Sequence, residues 1–126
     1  MIKLLPTFLI AICSAVSAHL LIKANALRTI TISNESIIST LTKTYFHPFF
    51  VIGALCFGIS LLFYNKLLST LNLNLTFPVF AGINFCLIII GSHFFFKESI
   101  TLKHGLGILL ILLGVIILST LPTKTS

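Results

Sequence analysis

The residues able to hold a charged ligand are few, and they lie inside or beside long apolar runs. His19, Lys23 and Asn25 stand at the end of the first run, and Asn84 and His93 lie within a later one opened by Phe77 and Phe80. An ionisable or strongly polar group in hydrocarbon is expensive and is a functional candidate by default. His19 and Lys23, at i and i+4, share one face of a helix. Lys23 is suited to hold an anionic group by charge-assisted hydrogen bonds, helped by His19 or Asn25; the competing reading has its long stem snorkelling the ammonium to the headgroups. Asn84 and His93 are nine residues apart and so fall on different faces. Asn84 either meets a ligand or bonds a neighbouring helix, and His93 either acts in a site or rests at the interface above Phe94, Phe95 and Phe96. Phe77 and Phe80 offer cation–π or stacking faces. The polar candidates for a substrate-binding site are therefore Lys23, His19, Asn25 and Asn84.

The acids are informative by their placement. Glu35 and Glu98 are the two in the chain, and both fall in connections between apolar runs. A proton-coupled exporter of organic cations needs a buried carboxylate that trades a proton for its substrate. A charged histidine would repel such a cation rather than neutralise it. An interior without negative side chains favours an anionic or neutral ligand. Cys13, Cys56 and Cys86 sit in separate apolar runs, which describes packing residues and not a disulfide framework. No Cys/His cluster has metal-ligand spacing, and no nucleophile–base pair falls in a span, so neither a metal, a cofactor nor an enzyme is expected.

These groups must be positioned by helices in a bilayer. Of the 126 residues, 57% are hydrophobic and 8% charged, whereas a soluble domain needs about 25% charged residues to coat its surface. The net charge of +6 is spread singly at the ends of apolar runs. Such basic ends meet lipid phosphates and set topology, so nucleic acid is excluded as a partner. Four windows approach the roughly 20 apolar residues a spanning helix requires: about 4–22, 46–68, 73–96 and 104–121. Their continuity implies helices rather than strands. One domain of four transmembrane helices follows. The first window, with Lys3 before it and Val16-Ser17-Ala18 within it, imitates a signal peptide, but its apolar stretch is long for that role.

In the long first connection Ile37, Ile38, Leu41 and Tyr45 share a face, which suits either a short helix lying on the membrane or a solvated loop. Asn34-Glu35-Ser36 and Asn74-Leu75-Thr76 match the glycosylation pattern, with Asn74 too close to a span to be a good acceptor. The face holding both termini carries Lys3, Lys66 and Lys124, and the opposite face carries Lys23, Arg28, Lys43, Lys97 and Lys103. Three against five is a weak orientation bias.

Helices in lipid associate where small residues let backbones approach. Ala11, Ser14, Ala15 and Ala18 supply them in span one, and Gly53, Ala54 and Gly58 in span two. In span four Gly107 and Gly114, seven apart, lie on one face. Four helices enclose little space, so a dimer of eight helices with a cavity at its interface is expected, built from two copies or from this chain and a similar one.

Lys23 closing span one, Phe77-Pro78-Val79-Phe80-Ala81-Gly82 opening span three, Glu98 after an aromatic run, and the pattern Gly107, Leu110, Ile111, Gly114, Val115 together resemble the four-helix small multidrug resistance proteins of the drug/metabolite transporter superfamily. The resemblance implies that Gly107 and Gly114 form a dimer contact, that Phe77 and Phe80 touch substrate, and that Lys23 matches a family lysine. Multidrug members carry an essential glutamate eight residues before that lysine, where this chain has Ala15. Loss of the acid, the stretch His19-Leu20-Leu21-Ile22-Lys23-Ala24, the longer first connection, Asn84 fourteen residues before Glu98, and His104-Gly105 are similar to the paired small subunits thought to flip undecaprenyl-phosphate-linked aminoarabinose. The resemblance implies a bacterial inner-membrane subunit that moves a polyprenyl-phosphate-linked sugar, or a similar anionic lipid, by alternating access. Export of organic cations and a non-transporting scaffold role are the alternatives.

Overall fold

A computed structural model describes residues 4–30 and 37–120, and every regular element in them is helical. The order is α1 (Leu5–Ile30), α2 (Ile37–Tyr45), α3 (Pro48–Leu68), α4 (Leu73–Phe96) and α5 (Leu102–Thr120). Three of these, α1, α3 and α4, are long and apolar enough to cross a membrane, and α5 contributes a shorter apolar stretch, Leu102–Leu118. The chain is an all-α integral membrane protein. Lys3, Lys124 and the Asn34 sequon lie outside the described residues, whereas Asn74 falls in the first turn of α4.

The interior reverses the pattern of a soluble protein. Its most buried apolar residues are mainly small, Ala11, Ala15 and Ala18 with Ile12 and Leu67, and beside them lie Thr7, Asn25, Ser60, Thr76 and Ser92. Leu62, Leu110, Phe94 and many other large side chains face outward. Lipid is as apolar as leucine, so close backbone approach and interhelical hydrogen bonds decide what goes inside.

α1 is the central helix, with α3 packed along it, α4 on another side and α5 resting on α4. The α1–α3 seam shows why small residues are required. A β-carbon on Gly53 would stand 3.0 Å from Ile22 Cγ1 and 3.3 Å from the Ala18 carbonyl oxygen. Ser60 Oγ donates to the Ala11 carbonyl at 2.8 Å, a buried bond between the same two helices. Between α4 and α5, a β-carbon on Gly82 would come within 2.9 Å of Val115 Cγ2.

One sequence expectation changes here, and one pair of alternatives is decided. Lys23 does not close the first helix, because α1 continues to Ile30. The first connection is not simply a loop: α2 forms, tied to α1 by Asn25 Nδ2 donating to the Thr44 carbonyl at 3.0 Å. Its Ile38, Leu41 and Tyr45 are exposed, as a helix at a membrane surface requires.

Candidate functional site

The C-terminal half of α1, the end of α4 and the start of α5 meet at one end of the bundle. Between them lies a cleft of about 600 Å³ lined by Lys23, Ile88, Ile89, Ser92, Glu98 and His104, among others. Lys23 extends from α1 and pairs with the carboxylate of Glu98. Its ammonium also donates to Ser92 Oγ at 3.2 Å and lies 5.0 Å from the centre of the Phe96 ring. Ser92 in turn donates to the other oxygen of Glu98. One cation, one anion and one hydroxyl form a closed polar ring in the cleft.

Local geometry delivers Glu98 to that place. α4 ends at Phe96, and Lys97 adopts φ 53° and ψ 32°. Among the described residues it is the one non-glycine with positive φ. Left-handed helix caps usually belong to glycine, since a β-carbon is strained there. The turn sends the chain back toward α1, so that Glu98 faces Lys23. His93 Nδ1 donates to the Glu98 carbonyl at 2.6 Å and braces the turn. The next helix is started by a reciprocal cap: the Thr101 N–H donates to His104 Nδ1 at 3.2 Å, and the His104 N–H to the Thr101 carbonyl at 3.0 Å. This resembles a capping box with histidine in place of glutamate.

The Lys23 hydrogen bond, then that of Ser92, holds the Glu98 carboxyl below its ordinary value of 4.5. Each bond favours the charged form. Among the described residues the spans carry no carboxylate, as expected, and Glu98 is half-exposed in the connection after α4. Glu98 lies outside the spans in sequence, yet its carboxylate reaches the Lys23 ammonium.

The six candidate binding residues point to different neighbours. His19 is exposed and meets the Phe57 ring of α3 edge-on at 6.2 Å. Asn25 is buried against α2. Phe80 packs with Tyr64 at 4.7 Å and Phe8 at 6.0 Å, while Phe77 is exposed. Phe80 precedes Ser92 by twelve residues, or about 18 Å along α4. Asn84 lies between those levels, and its Oδ1 is buried without a hydrogen-bond partner, as is the Tyr64 hydroxyl. Thus only Lys23 of the six lines the cleft. Ser92, Glu98, Ser99 and His104 complete its polar lining, and the sequence reading does not include them among the binding residues. The signal is nonetheless there: a lysine in an apolar helix requires an anion, and the chain holds two carboxylates.

Gly107 and Gly114, the expected dimer contact, have nothing within 4 Å of where a β-carbon would stand. Their face of α5 is open. Ala15, at the family glutamate's position, is buried.

Comparison with known proteins extends these observations. The uncharacterized protein y4nH of Sinorhizobium fredii is 38% identical over 79 residues, covering 63% of this chain and 68% of its own length. Two proteins named as probable 4-amino-4-deoxy-L-arabinose-phosphoundecaprenol flippase subunit ArnE also match. That of Hamiltonella defensa is 43% identical over 58 residues, which is 46% of this chain and 51% of the relative. That of Proteus mirabilis is 36% identical over 77 residues, or 61% and 66%. This chain belongs to the ArnE-like small membrane proteins of the drug/metabolite transporter type. The matched stretches span about half to two thirds of those two ArnE subunits. No family model matches the ArnE-like chain, and no solved structure does.

Proposed function

We propose that the chain is a subunit of a membrane flippase whose substrate is a polyprenyl-phosphate-linked aminosugar. The supporting observation is the Lys23–Glu98–Ser92 ring in a cleft walled by Ile88 and Ile89. A half-exposed ion pair of this kind suits a ligand that carries both charges. The phosphate takes Lys23, the sugar amine takes Glu98, and the exchange leaves the site's charge balance unchanged. Charge-assisted hydrogen bonds serve both ends. The two ArnE relatives are named for such an aminosugar lipid, which agrees with this pairing.

The chain acts in this reading as one half of an eight-helix dimer, joined to a second copy or a similar subunit through the Gly107–Gly114 face of α5. The tail remains in lipid beside the helices, and rocking of the two halves exposes the site to either side in turn. No covalent chemistry is needed.

The test is translocation of a labelled undecaprenyl-phosphate aminosugar in membrane vesicles from cells expressing the chain with its partner subunit. Lys23→Ala is expected to lower the rate by about tenfold or more, the scale of a hydrogen bond to a charged group. Lys23→Arg is expected to keep most of it. Unchanged transport by Lys23→Ala would remove the assigned role, and a preference for organic cations over the lipid would favour export instead.

A further inference from the structure

A second cleft, of about 550 Å³, lies at the junction of α1, α2 and α3, lined by residues that include Asn25, Arg28, Lys43, Phe46 and His47. We propose that it binds the phosphate of an anionic membrane lipid. The site is separate from the Lys23 cleft, and among the described residues the two share no lining side chain. The inference stands independently of the flippase reading.

Three elements each contribute one basic group: Arg28 from the last turns of α1, Lys43 from α2, and His47 from the cap of α3. Phe49 organises two of the basic groups. The Arg28 guanidinium stands 4.5 Å from the centre of its ring, and the His47 ring stacks on it at 5.4 Å with an interplanar angle of 26°. Stacking on an aromatic face holds a guanidinium in place while its edge donors remain available to an anion. His47 Nδ1 accepts from the Phe49 N–H at 3.3 Å. The proton of the neutral ring is therefore on Nε2, which makes that nitrogen a donor.

The surroundings identify the source of the anion. Phe46, which lines the cleft with Pro48, is 82% exposed, so this basic cleft has an outward apolar edge. A basic cleft bordered by outward apolar side chains matches the headgroup region, where phosphate and acyl chain meet. α2 is fixed over the site by the Asn25–Thr44 bond and by Thr44 Oγ1 donating to Thr29 Oγ1 at 3.2 Å. The cleft thus exists before a lipid arrives.

The experiment uses the purified full chain in mild detergent, mixed with phosphatidylglycerol or phosphatidylcholine, with retained lipid counted by native mass spectrometry. The wild type is expected to retain phosphatidylglycerol preferentially. Arg28→Gln with Lys43→Gln is expected to lower that retention about tenfold, following the usual strength of paired basic residues at an anionic surface. Lys66→Gln, at a basic residue of α3 that lines neither cleft, is expected to leave it unchanged. Equal retention of the two lipids by the wild type overturns the proposal, as does full retention by the double variant with its helicity intact. Should the double variant not fold, wild-type retention is followed against salt: a decrease with ionic strength supports the site, and indifference to salt overturns it. Displacement of the lipid by millimolar inorganic phosphate would assign the cleft to a free anion and overturn the lipid source.

Discussion

The α1–α3 seam and the outer face of α5 are built from the same kind of residue and have opposite fates. In the seam, Ala11, Ala15, Ala18 and Gly53 are buried, and a single added carbon at Gly53 would press on Ile22 and on the backbone of Ala18. On α5, Gly107 and Gly114 have the same smallness, and a β-carbon placed on either would meet nothing within 4 Å. Small residues in a membrane helix are therefore a licence for contact and not a contact in themselves. One side of the fold is filled within the chain, and the other has open space beside its glycines.

The strongest challenge to the seam is Ala15→Glu, which restores the acid carried by multidrug members. A charge at that buried position is expected to cost about 2.5–3.5 kcal/mol or more, on the scale of charged residues at a helix centre. The purified variant should unfold at lower denaturant concentration than the wild type. Wild-type stability would mean that the seam opens more readily than its packing implies.

A matched pair of substitutions sharpens the contrast itself. Gly53→Leu should destabilise the chain by about 1–3 kcal/mol, as overpacking does. Gly114→Leu should change monomer stability by no more than about 0.5 kcal/mol, as expected of a surface site, while reducing self-association or capture of a partner subunit. Denaturant melts and crosslinking read the two effects separately. Equal loss of stability in both variants would erase the distinction between the regions.

The smallest effect belongs to the contact of α1 with the end of α4. Because Lys23 and Ser92 hold the Glu98 pKa below 4.5, the folded state binds this proton more weakly than the unfolded state does. The resulting stabilisation is fully present above the unfolded carboxylate value. It is lost as pH falls through the lower folded value. Melting curves of the wild type and Glu98→Gln should differ slightly near neutrality and converge in acid. A difference that grew on acidification would reverse the assignment.

Much of this architecture is legible in the sequence because it depends on length and period. The apolar runs appear as α1, α3, α4 and α5, and the shared face of Ile38, Leu41 and Tyr45 appears as α2. Ala11, Ala18 and Gly53 pack where small residues were expected to. The Lys23–Glu98 pair is not legible in that way. It joins residues 75 apart, and it depends on a left-handed turn at a lysine, a residue type that does not announce such a conformation. The basic cleft is equally hidden, since Arg28, Lys43 and His47 have no fixed spacing and meet only after α2 folds over α1. His19 and Lys23 show the limit of spacing arguments in another way. They are one turn apart on α1, yet one meets a ring on α3 and the other a carboxylate beyond α4.

Helix length carries a final consequence. α1 has 26 residues and α5 has 19, which at 1.5 Å per residue makes them about 39 Å and 28 Å long. A bilayer core of about 30 Å cannot match both. The excess of α1, whose last turn carries Arg28, leans over or emerges into water. The helix that bears the open glycines is about 10 Å shorter and has no such excess.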